Sequence, residues 1–167
     1  MKPKYKTITM YMEMAEACAR ASKAIRRKVG CVLVNNKGII SEGLNGMPPK
    51  WETEECEDKV YFDGQKQIID EGWLSTLFPY TDEKGHYKLI TKPECRHAEI
   101  AALEKLWYKA ESAEGATCFV TTAPCRNCAI KLFTAGIKEV YYKDTYSSDA
   151  GIEYLTNKGV RVEKYEP

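Results

Sequence analysis

Three residues of the types that a catalytic zinc prefers stand in two short motifs in the second half of the chain. His97 opens the segment His-Ala-Glu, and Cys125 and Cys128 stand three apart in the segment Pro-Cys-Arg-Asn-Cys. One histidine and two cysteines would leave a fourth coordination position open for water. Zinc lowers the pKa of such a water from about 16 to about 7, and Glu99 stands close enough in sequence to move its protons. The pattern predicts a catalytic zinc site.

Each motif is predicted to open a helix. Apolar periodicity predicts helices over 97–109 and 125–135, and Pro124 suits a helix entry because its missing N–H costs nothing there. Two cysteines three apart at the start of a helix direct both thiols from one face toward one ion. The positive ends of the two helices would then favour thiolates and a hydroxide between them.

The remaining chain alternates between helical and strand patterns. The predicted helices lie over 8–28, 97–109, 125–135 and 152–157, and the predicted strands lie over 30–34, 39–43, 116–122, 140–142 and 160–162. Such alternation implies a sheet with helices on both faces and some parallel strand pairs.

A long stretch of mixed character, 49–94, separates the first hairpin from the His-Ala-Glu helix. It follows the break Asn-Gly-Met-Pro-Pro, contains several glycines and prolines, and shows one short helical pattern, around 65–74. We interpret it as an insertion within a single domain that covers 1–167.

Composition narrows the classes of function. The chain has 167 residues with 25 basic and 24 acidic side chains, a net charge of +1, which argues against binding to long nucleic acids. It shows neither an apolar run of membrane-spanning length nor an export signal, so a cytoplasmic location is expected, in the host for a viral protein. Seven cysteines in such a chain suggest metal ligands and buried thiols rather than disulfides.

With these motifs the chain resembles the phage-type deoxycytidylate (dCMP) deaminases of the zinc-dependent cytidine and deoxycytidylate deaminase superfamily. The resemblance covers roughly 8–48 and 95–164, and it is carried by Ser22-Lys23, Lys28-Val29-Gly30, Gly43-Leu44-Asn45-Gly46-Met47-Pro48, His97-Ala98-Glu99, Pro124-Cys125-Arg126-Asn127-Cys128-Ala129, Ala135-Gly136-Ile137-Lys138-Glu139-Val140 and Asp144-Thr145-Tyr146. It implies a three-layer α/β/α fold with a mixed five-stranded sheet. The insertion would lie between the second strand and the His-x-Glu helix.

The resemblance implies hydrolysis of dCMP to dUMP and ammonia, which feeds dTMP synthesis. His97, Cys125 and Cys128 would hold one catalytic Zn²⁺, and Glu99 would carry a proton to ring N3 and then to the leaving amine. Free cytidine deaminases have Cys in place of the His, and riboflavin-pathway deaminases space their two cysteines far apart. Three alternatives stay open: a dCTP deaminase, an enzyme that acts on a base within nucleic acid, and a zinc-stabilised nucleotide-binding module.

The resemblance also suggests residues that contact the substrate. Asn45 would hold the deoxyribose, and Tyr146 would stack on the base. Lys23 is the first candidate for the 5′-phosphate and Arg26 the second, from the basic run between the first helix and the first strand. The alternatives are a turn residue for Asn45, a half-buried aromatic for Tyr146 and a solvated surface for the basic side chains.

Two further implications concern regulation and a second metal. Family members form hexamers that dCTP activates and dTTP inhibits, with Mg²⁺ accompanying the triphosphate, through a site that corresponds here to Gly43, Leu44, Asn45 and Gly46. Leu44 stands where an aromatic residue is usual. Some phage relatives carry a structural zinc in the insertion. The candidate ligands for it here are Cys56, His86 and Cys95, with Cys18 or Cys31 as a less natural fourth, although isolated cysteines are more often buried apolar groups.

Overall fold

The computed structural model describes residues 5–64 and 71–167. The elements follow in the order α1 (Tyr5–Ala21), β1 (Gly30–Asn35), β2 (Gly38–Leu44), β3 (Glu57–Tyr61), α2 (Glu71–Leu77), β4 (Tyr80–Asp82), β5 (Gly85–Thr91), α3 (Ala98–Lys109), β6 (Thr117–Thr122), α4 (Arg126–Thr134), β7 (Glu139–Asp144), α5 (Ala150–Asn157) and β8 (Arg161–Lys164). None of the helices within these ranges has the length and apolar character needed to cross a membrane.

The central sheet has five strands in the order β2-β1-β6-β7-β8. β1 is antiparallel to both of its neighbours, whereas β7 is parallel to β6 and β8. The antiparallel pair β1–β2 needs only a tight turn, and the two parallel pairs are joined through α4 and α5, as parallel crossovers require. The prediction of a mixed five-stranded sheet is confirmed.

Alternate residues of the strands enter two separate cores. Val32 and Val34 of β1 pack with Met12 and Ala15 of α1, whereas Cys31 belongs to the core that contains residues of α3, α4 and α5. Since successive side chains of a strand point to opposite faces, α1 covers one face and α3, α4 and α5 cover the second. The predicted α/β/α layering is confirmed.

The first helix ends earlier than predicted. The pattern over 8–28 predicts one helix, but α1 ends at Ala21 and 22–29 form a loop. The Ser22 hydroxyl donates to the Asn45 carbonyl (2.8 Å) and accepts from the Ala24 N–H (3.2 Å). The prediction beyond Ala21 is wrong because the Ser22 hydroxyl forms one tertiary bond, to Asn45, and one local bond, from Ala24, in place of helical ones, a competition that serine side chains often win.

The inserted segment contains more structure than predicted. The expectation of a single short helix in 49–94 is wrong, because β3, β5 and β4 form a three-stranded antiparallel sheet. These strands are three to seven residues long, and most of their residues are partly or fully exposed. They therefore lack the apolar alternation that marks a half-buried strand. Of the helix predicted around 65–74, 65–70 lie outside the described residues, and α2 accounts for the rest.

Gly43 sets how closely α3 approaches the sheet. A Cβ at this position would lie 2.1 Å from the carbonyl oxygen of Ala98 and 2.6 Å from the N–H nitrogen of Ala102. Both are backbone atoms of α3, so the helix could accept a side chain only by moving away from β2. The absence of a side chain at Gly43 thus places the first turn of α3.

We expect Gly43→Ala to lower the free energy of unfolding by about 1–3 kcal/mol, the usual cost of overpacking a close contact. Urea unfolding followed by circular dichroism measures this change. Gly64→Ala is the matched control, because a Cβ there meets nothing within 4 Å. Equal stability of the two variants would contradict the role assigned to Gly43.

Candidate active site

His97 and Cys125 occupy the same structural position at two helix starts. His97 is the N-cap of α3 (φ −72°, ψ 155°), and Cys125 is the N-cap of α4 (φ −67°, ψ 166°). Cys128 lies in the first turn of α4, where its N–H donates to the Cys125 Sγ at 3.5 Å. Both helix N-termini therefore face the same point, and their positive ends favour negatively charged groups there.

The three side chains bring their ligand atoms together. The His97 Nδ1 lies 3.6 Å from the Cys125 Sγ and 3.3 Å from the Cys128 Sγ. All three atoms lie within 4.8 Å of one another, and no other such group of potential metal ligands occurs in 5–64 and 71–167. Tetrahedral zinc with bonds of about 2.0–2.3 Å separates its ligand atoms by about 3.5 Å. The donor set therefore fits Zn²⁺.

Hydrogen bonds within this trio set its charge. The bond with Cys128 and then that with His97 lower the pKa of the Cys125 thiol to about 4. The same bond with Cys125, together with burial, raises the pKa of Cys128, and the bond with Cys125 raises the pKa of His97. Cys125 is accordingly the thiol of the trio that loses its proton most readily, and the thiolate is the form in which cysteine binds metal.

Glu99 is a buried carboxyl in the first turn of α3. Its side chain is 3% exposed, and burial raises its pKa. A raised pKa brings a carboxyl closer to neutral pH, where it both accepts and donates protons effectively. Glu99 shares one cavity with His97 and Cys125, so the structure brings the predicted proton carrier and the predicted metal ligands together.

A backbone bridge holds the residue that precedes His97. The Gly46 N–H donates to the Arg96 carbonyl (3.1 Å), and the Arg96 N–H donates to the Gly46 carbonyl (2.9 Å). The Arg96 guanidinium also contacts Glu104 and the carbonyl of Met47. The segment after β2 is thereby tied to the start of α3.

Gly151 provides a second close approach, at the other metal motif. A Cβ on this residue of α5 would lie 1.9 Å from the carbonyl oxygen of Pro124. The absence of a side chain lets α5 pack directly against the turn that leads into Cys125. No sequence motif singled out this glycine, since its role depends on a contact between separate segments.

A cavity of about 380 Å³ opens in front of the metal ligands. This volume lies within the range of about 300–1,000 Å³ typical of small-ligand sites. Its lining comprises Arg26, Arg27, Val29, Asn45, Glu57, Thr91, Cys95, His97, Ala98, Glu99, Thr122, Ala123, Cys125, Tyr146 and Ser147. Three of the four predicted substrate residues, Arg26, Asn45 and Tyr146, are therefore brought to the predicted zinc site.

Asn45 closes the loop that precedes β1. Its Oδ1 accepts from the Val29 N–H, and its Nδ2 donates to the Arg27 carbonyl, both at 2.8 Å. These bonds hold Asn45 in the cavity wall and shape the backbone beside it. Ribose binding by Asn45, and the alternative of a turn residue before Gly46, both stay predictions.

Lys23 lies outside this cavity. Its ammonium pairs with Glu54, its side chain is 61% exposed, and it lines a neighbouring cavity formed mainly by 52–59. Arg26 is thus better placed than Lys23, the reverse of the predicted order. The early end of α1 explains the difference, because the loop over 22–29 turns Lys23 toward the insertion.

Arg27 is a cavity residue that the sequence patterns did not single out. Its Nη1 donates to the carbonyl of Thr145 at 3.4 Å, next to Tyr146. The bond joins the loop over 22–29 to the loop after β7, which lie on two sides of the cavity mouth. Its place in the basic run was the available signal, but the prediction for the phosphate ranked only Lys23 and Arg26 of that run.

Of the segment predicted to bind effectors, only Asn45 lines the cavity. Gly43 packs on α3, and Gly46 forms the bridge to Arg96. The side chain of Leu44 lies 3.7 Å from the Cβ position of Gly46. These contacts describe the segment within one chain, and the effector site stays a prediction.

The candidate ligands of a second zinc are separated. Cys56 and Cys95 are buried in one small cluster with Ala24, and burial, followed by a hydrogen bond with Cys56, raises the pKa of Cys95. His86 instead contacts the Thr81 hydroxyl near the beginning of β5, whereas the Cys56 carbonyl accepts from the Lys92 N–H beyond the end of that strand. The structure therefore does not bring these three together.

Comparison with known proteins supports the relationship suggested by the motifs. A family model described as the cytidine and deoxycytidylate deaminase zinc-binding region matches residues 5–144. The deoxycytidylate deaminase of Enterobacteria phage T2 is 30% identical over an alignment of 180 positions, which covers 90% of this chain and 88% of the relative. That of Saccharomyces cerevisiae is 28% identical over 93% of this chain, but over only 43% of its own length.

A solved structure agrees with these matches. The dCMP deaminase from the cyanophage S-TIM5, crystallised in complex with dCMP and dUMP, superposes with a TM-score of 0.75 at 33% identity and 99% coverage of both chains. The metal-ligand trio, the mixed sheet and the matched sequence thus lead to one conclusion: this chain belongs to the cytidine and deoxycytidylate deaminase family, whose shared module binds zinc.

Proposed function

We propose that this protein, as a single deaminase domain, catalyses the zinc-dependent hydrolytic deamination of dCMP to dUMP and ammonia. The observation that carries the proposal is the buried Glu99 carboxyl beside His97 and Cys125 in one cavity, with Arg26 at the same cavity's wall. The relatives named as deoxycytidylate deaminases, and the cyanophage enzyme crystallised with dCMP and dUMP, support this choice of substrate.

His97, Cys125 and Cys128 would hold the Zn²⁺, which when bound lowers the pKa of a water so that it attacks as a nucleophile near neutral pH. Glu99 accepts a proton on a carboxylate oxygen and donates it to N3 of the cytosine ring. The same carboxylate then accepts the proton of the hydroxyl group that has added to C4 and donates it to the amino group there, so that the C4–N bond breaks, ammonia leaves and the C4 carbonyl of the product forms. Because Glu99 is buried, its proton passes to the substrate rather than to bulk solvent.

Tyr146 and Arg26 would fix the two ends of the nucleotide. The aromatic ring suits the face of the pyrimidine, and the guanidinium suits the 5′-phosphate because its N–H groups form paired hydrogen bonds. Asn45 and Arg27 hold the two loops that carry these side chains, since Asn45 bonds to the backbone of Arg27 and Arg27 bonds to the carbonyl of Thr145.

The direct test is the loss of cytosine absorbance on zinc-loaded protein given dCMP, deoxycytidine, dCTP or CMP. Turnover of dCMP well above that of the other three supports the proposal. Turnover of dCTP in preference to dCMP would reassign the substrate. No turnover of any of the four by zinc-loaded protein would overturn it, and a gel-shift experiment would then test binding to nucleic acid.

We expect Tyr146→Ala to lower kcat/KM for dCMP by about 5- to 150-fold, which corresponds to the 1–3 kcal/mol of one base–aromatic contact. Steady-state kinetics measure this loss, and the zinc content should not change. Tyr108→Ala is a control, because that ring is 91% exposed on α3 and lies outside the cavity lining. An unchanged kcat/KM in Tyr146→Ala would remove the stacking role.

Regulation, assembly and location rest on the resemblance and stay predictions. We propose a cytoplasmic hexamer that dCTP activates, with Mg²⁺, and that dTTP inhibits through the segment Gly43 to Gly46. Sizing by light scattering and the dCMP assay with each effector test these points. Turnover that neither nucleotide changes would remove the regulatory proposal and leave the deaminase proposal intact.

A further inference from the structure

The loop over 22–29 is held from outside by one buried carboxylate. Glu57 is the first residue of β3, in the inserted sheet, and its side chain accepts from two successive backbone amides. The Ile25 N–H lies 3.1 and 3.2 Å from its two oxygens, and the Arg26 N–H lies 3.1 Å from Oε1. These amides follow the end of α1, so Glu57 supplies acceptors that a continued helix would have supplied.

The position of Glu57 is unusual for a site that receives a phosphate. The residue is 8% exposed and lines the same cavity as Arg26 and Arg27. A carboxylate there repels an anion, and a buried charge is tolerated only where hydrogen bonds compensate for lost water. The carboxylate therefore contributes to this site by holding the two amides of the loop, and not by attracting the phosphate.

Thr91, the residue paired with Glu57, contacts the guanidinium of Arg26. Glu57 is opposite Thr91 in the β3–β5 ladder, and the Thr91 hydroxyl accepts from the Arg26 Nη1 at 3.3 Å. One cross-strand pair thus contacts both the backbone and the guanidinium of Arg26. A guanidinium has five N–H donors, so the bond to Thr91 leaves others for an anion.

The inserted sheet is also connected to the metal site. β5 ends at Thr91, and the metal ligand His97 follows six residues later. Between them the Lys92 N–H donates to the Cys56 carbonyl at 2.8 Å, and the Cys95 N–H donates to the Lys92 carbonyl at 3.0 Å. The strand that holds Arg26 therefore continues through a hydrogen-bonded turn into the metal ligand.

We propose that Glu57 is a positioning residue that fixes Arg26 at a set distance from the metal site, and so sets the preference for a 5′-phosphorylated substrate. This inference rests on the proposed function. It gives the insertion a specific role, because the β3–β5 pair of Glu57 and Thr91 holds the phosphate-binding side chain.

Glu57→Gln separates positioning from charge. The amide oxygen can replace Oε1, but an NH₂ group in place of Oε2 cannot accept from the Ile25 N–H and instead opposes it with another donor. We therefore expect KM for dCMP to rise about 10-fold, with kcat within about twofold. If Glu57 were only a nearby negative charge, its removal would lower KM. Inhibition constants locate the effect: that of dUMP should rise with KM, and that of deoxyuridine, which has no phosphate, should not change.

Asp58→Asn is the matched control. It removes the same charge from the next residue of β3, whose exposed side chain pairs with Lys92 and lies outside the cavity lining. We expect KM within about twofold of the wild type, as for most surface substitutions. Zinc content and circular dichroism establish that both variants are folded.

Thr91→Val and a double variant keep the inference testable should Glu57→Gln fail to fold. Thr91→Val removes only the hydroxyl, and we expect it to raise KM about 2- to 5-fold, as the loss of one hydrogen bond does. Because the effect passes through Arg26, Thr91→Val in an Arg26→Ala background should add nothing further. Glu57→Gln, if folded, should behave in the same way.

Three results would count against the inference, and a separate one against the function. A folded Glu57→Gln with unchanged or lower KM overturns it, as does an equal rise of both inhibition constants. Full additivity of Thr91→Val with Arg26→Ala also overturns it. Wild-type protein that binds zinc and leaves dCMP unchanged instead refutes the proposed function, on which the inference rests.

Discussion

Glu99→Gln is expected to lower kcat for dCMP by about 10³- to 10⁴-fold and to leave the zinc bound. The amide has nearly the shape of the carboxyl but can neither accept nor deliver the proton, and general acid–base groups contribute about 10²–10⁴-fold at each transfer they assist. Stopped-time product analysis measures the rate, and atomic absorption measures the zinc.

The buried setting of Glu99 makes this variant informative. Burial raises the pKa of the carboxyl, so the fold already disfavours its charge, and a neutral amide should be tolerated without loss of structure. Glu104→Gln is a control on the same helix, since this carboxyl contacts Arg96 and lies outside the cavity lining. A Glu99→Gln protein that retained more than about a tenth of the wild-type kcat would exclude Glu99 as the proton carrier.

Cys125→Ala is expected to remove both the metal and the activity. The variant loses the thiolate that has the lowest pKa of the trio, and with it the hydrogen bonds of Cys125 to Cys128 and His97. Where free zinc stands at about 1,000 times its dissociation constant, binding contributes about 4 kcal/mol to stability. In a chain of this size that corresponds to a fall in Tm of about 8–16 °C.

Chelation gives the comparison that isolates the metal. Wild-type protein treated with a strong chelator should approach the Tm of Cys125→Ala. Added zinc should then raise the Tm of the wild type but not that of Cys125→Ala. Cys18 is a half-buried thiol of α1 outside the site, so the control variant Cys18→Ala should bind zinc and show the same rise in Tm on zinc binding as the wild type. Equal zinc content in Cys125→Ala and the wild type would contradict the ligand assignment.

Local spacing was enough to identify the metal motifs. Cys125 and Cys128 stand one helix turn apart and His97 stands two residues before Glu99, and the two helices begin within one residue of their predicted starts. The alternation of helices and strands predicted a sheet with helices on both faces and some parallel pairs, and the resemblance added the mixed five-stranded order. Apolar periodicity reports which face of an element is buried, and buried faces build the layers.

Contacts between distant segments decided the rest of the site. The apolar pattern predicts one helix over 8–28, but the helix ends at Ala21. In the loop that follows, Lys23 pairs with Glu54, whereas Arg26 lines the cavity. The partner that holds this loop, Glu57, lies 31 residues from Arg26 along the chain. No local pattern encodes such a pairing, because each residue taken alone is an ordinary charged side chain.

Local patterns were thus enough to predict the candidate metal ligands, the candidate proton carrier and the layered fold. Which basic side chain lines the cavity, and how the inserted sheet contacts it, became visible only in the complete fold. The difference lies in the range of the interactions. Helix capping and side-chain periodicity act within one or two turns, whereas the wall of the cavity is assembled by hydrogen bonds between segments that only the complete fold brings together.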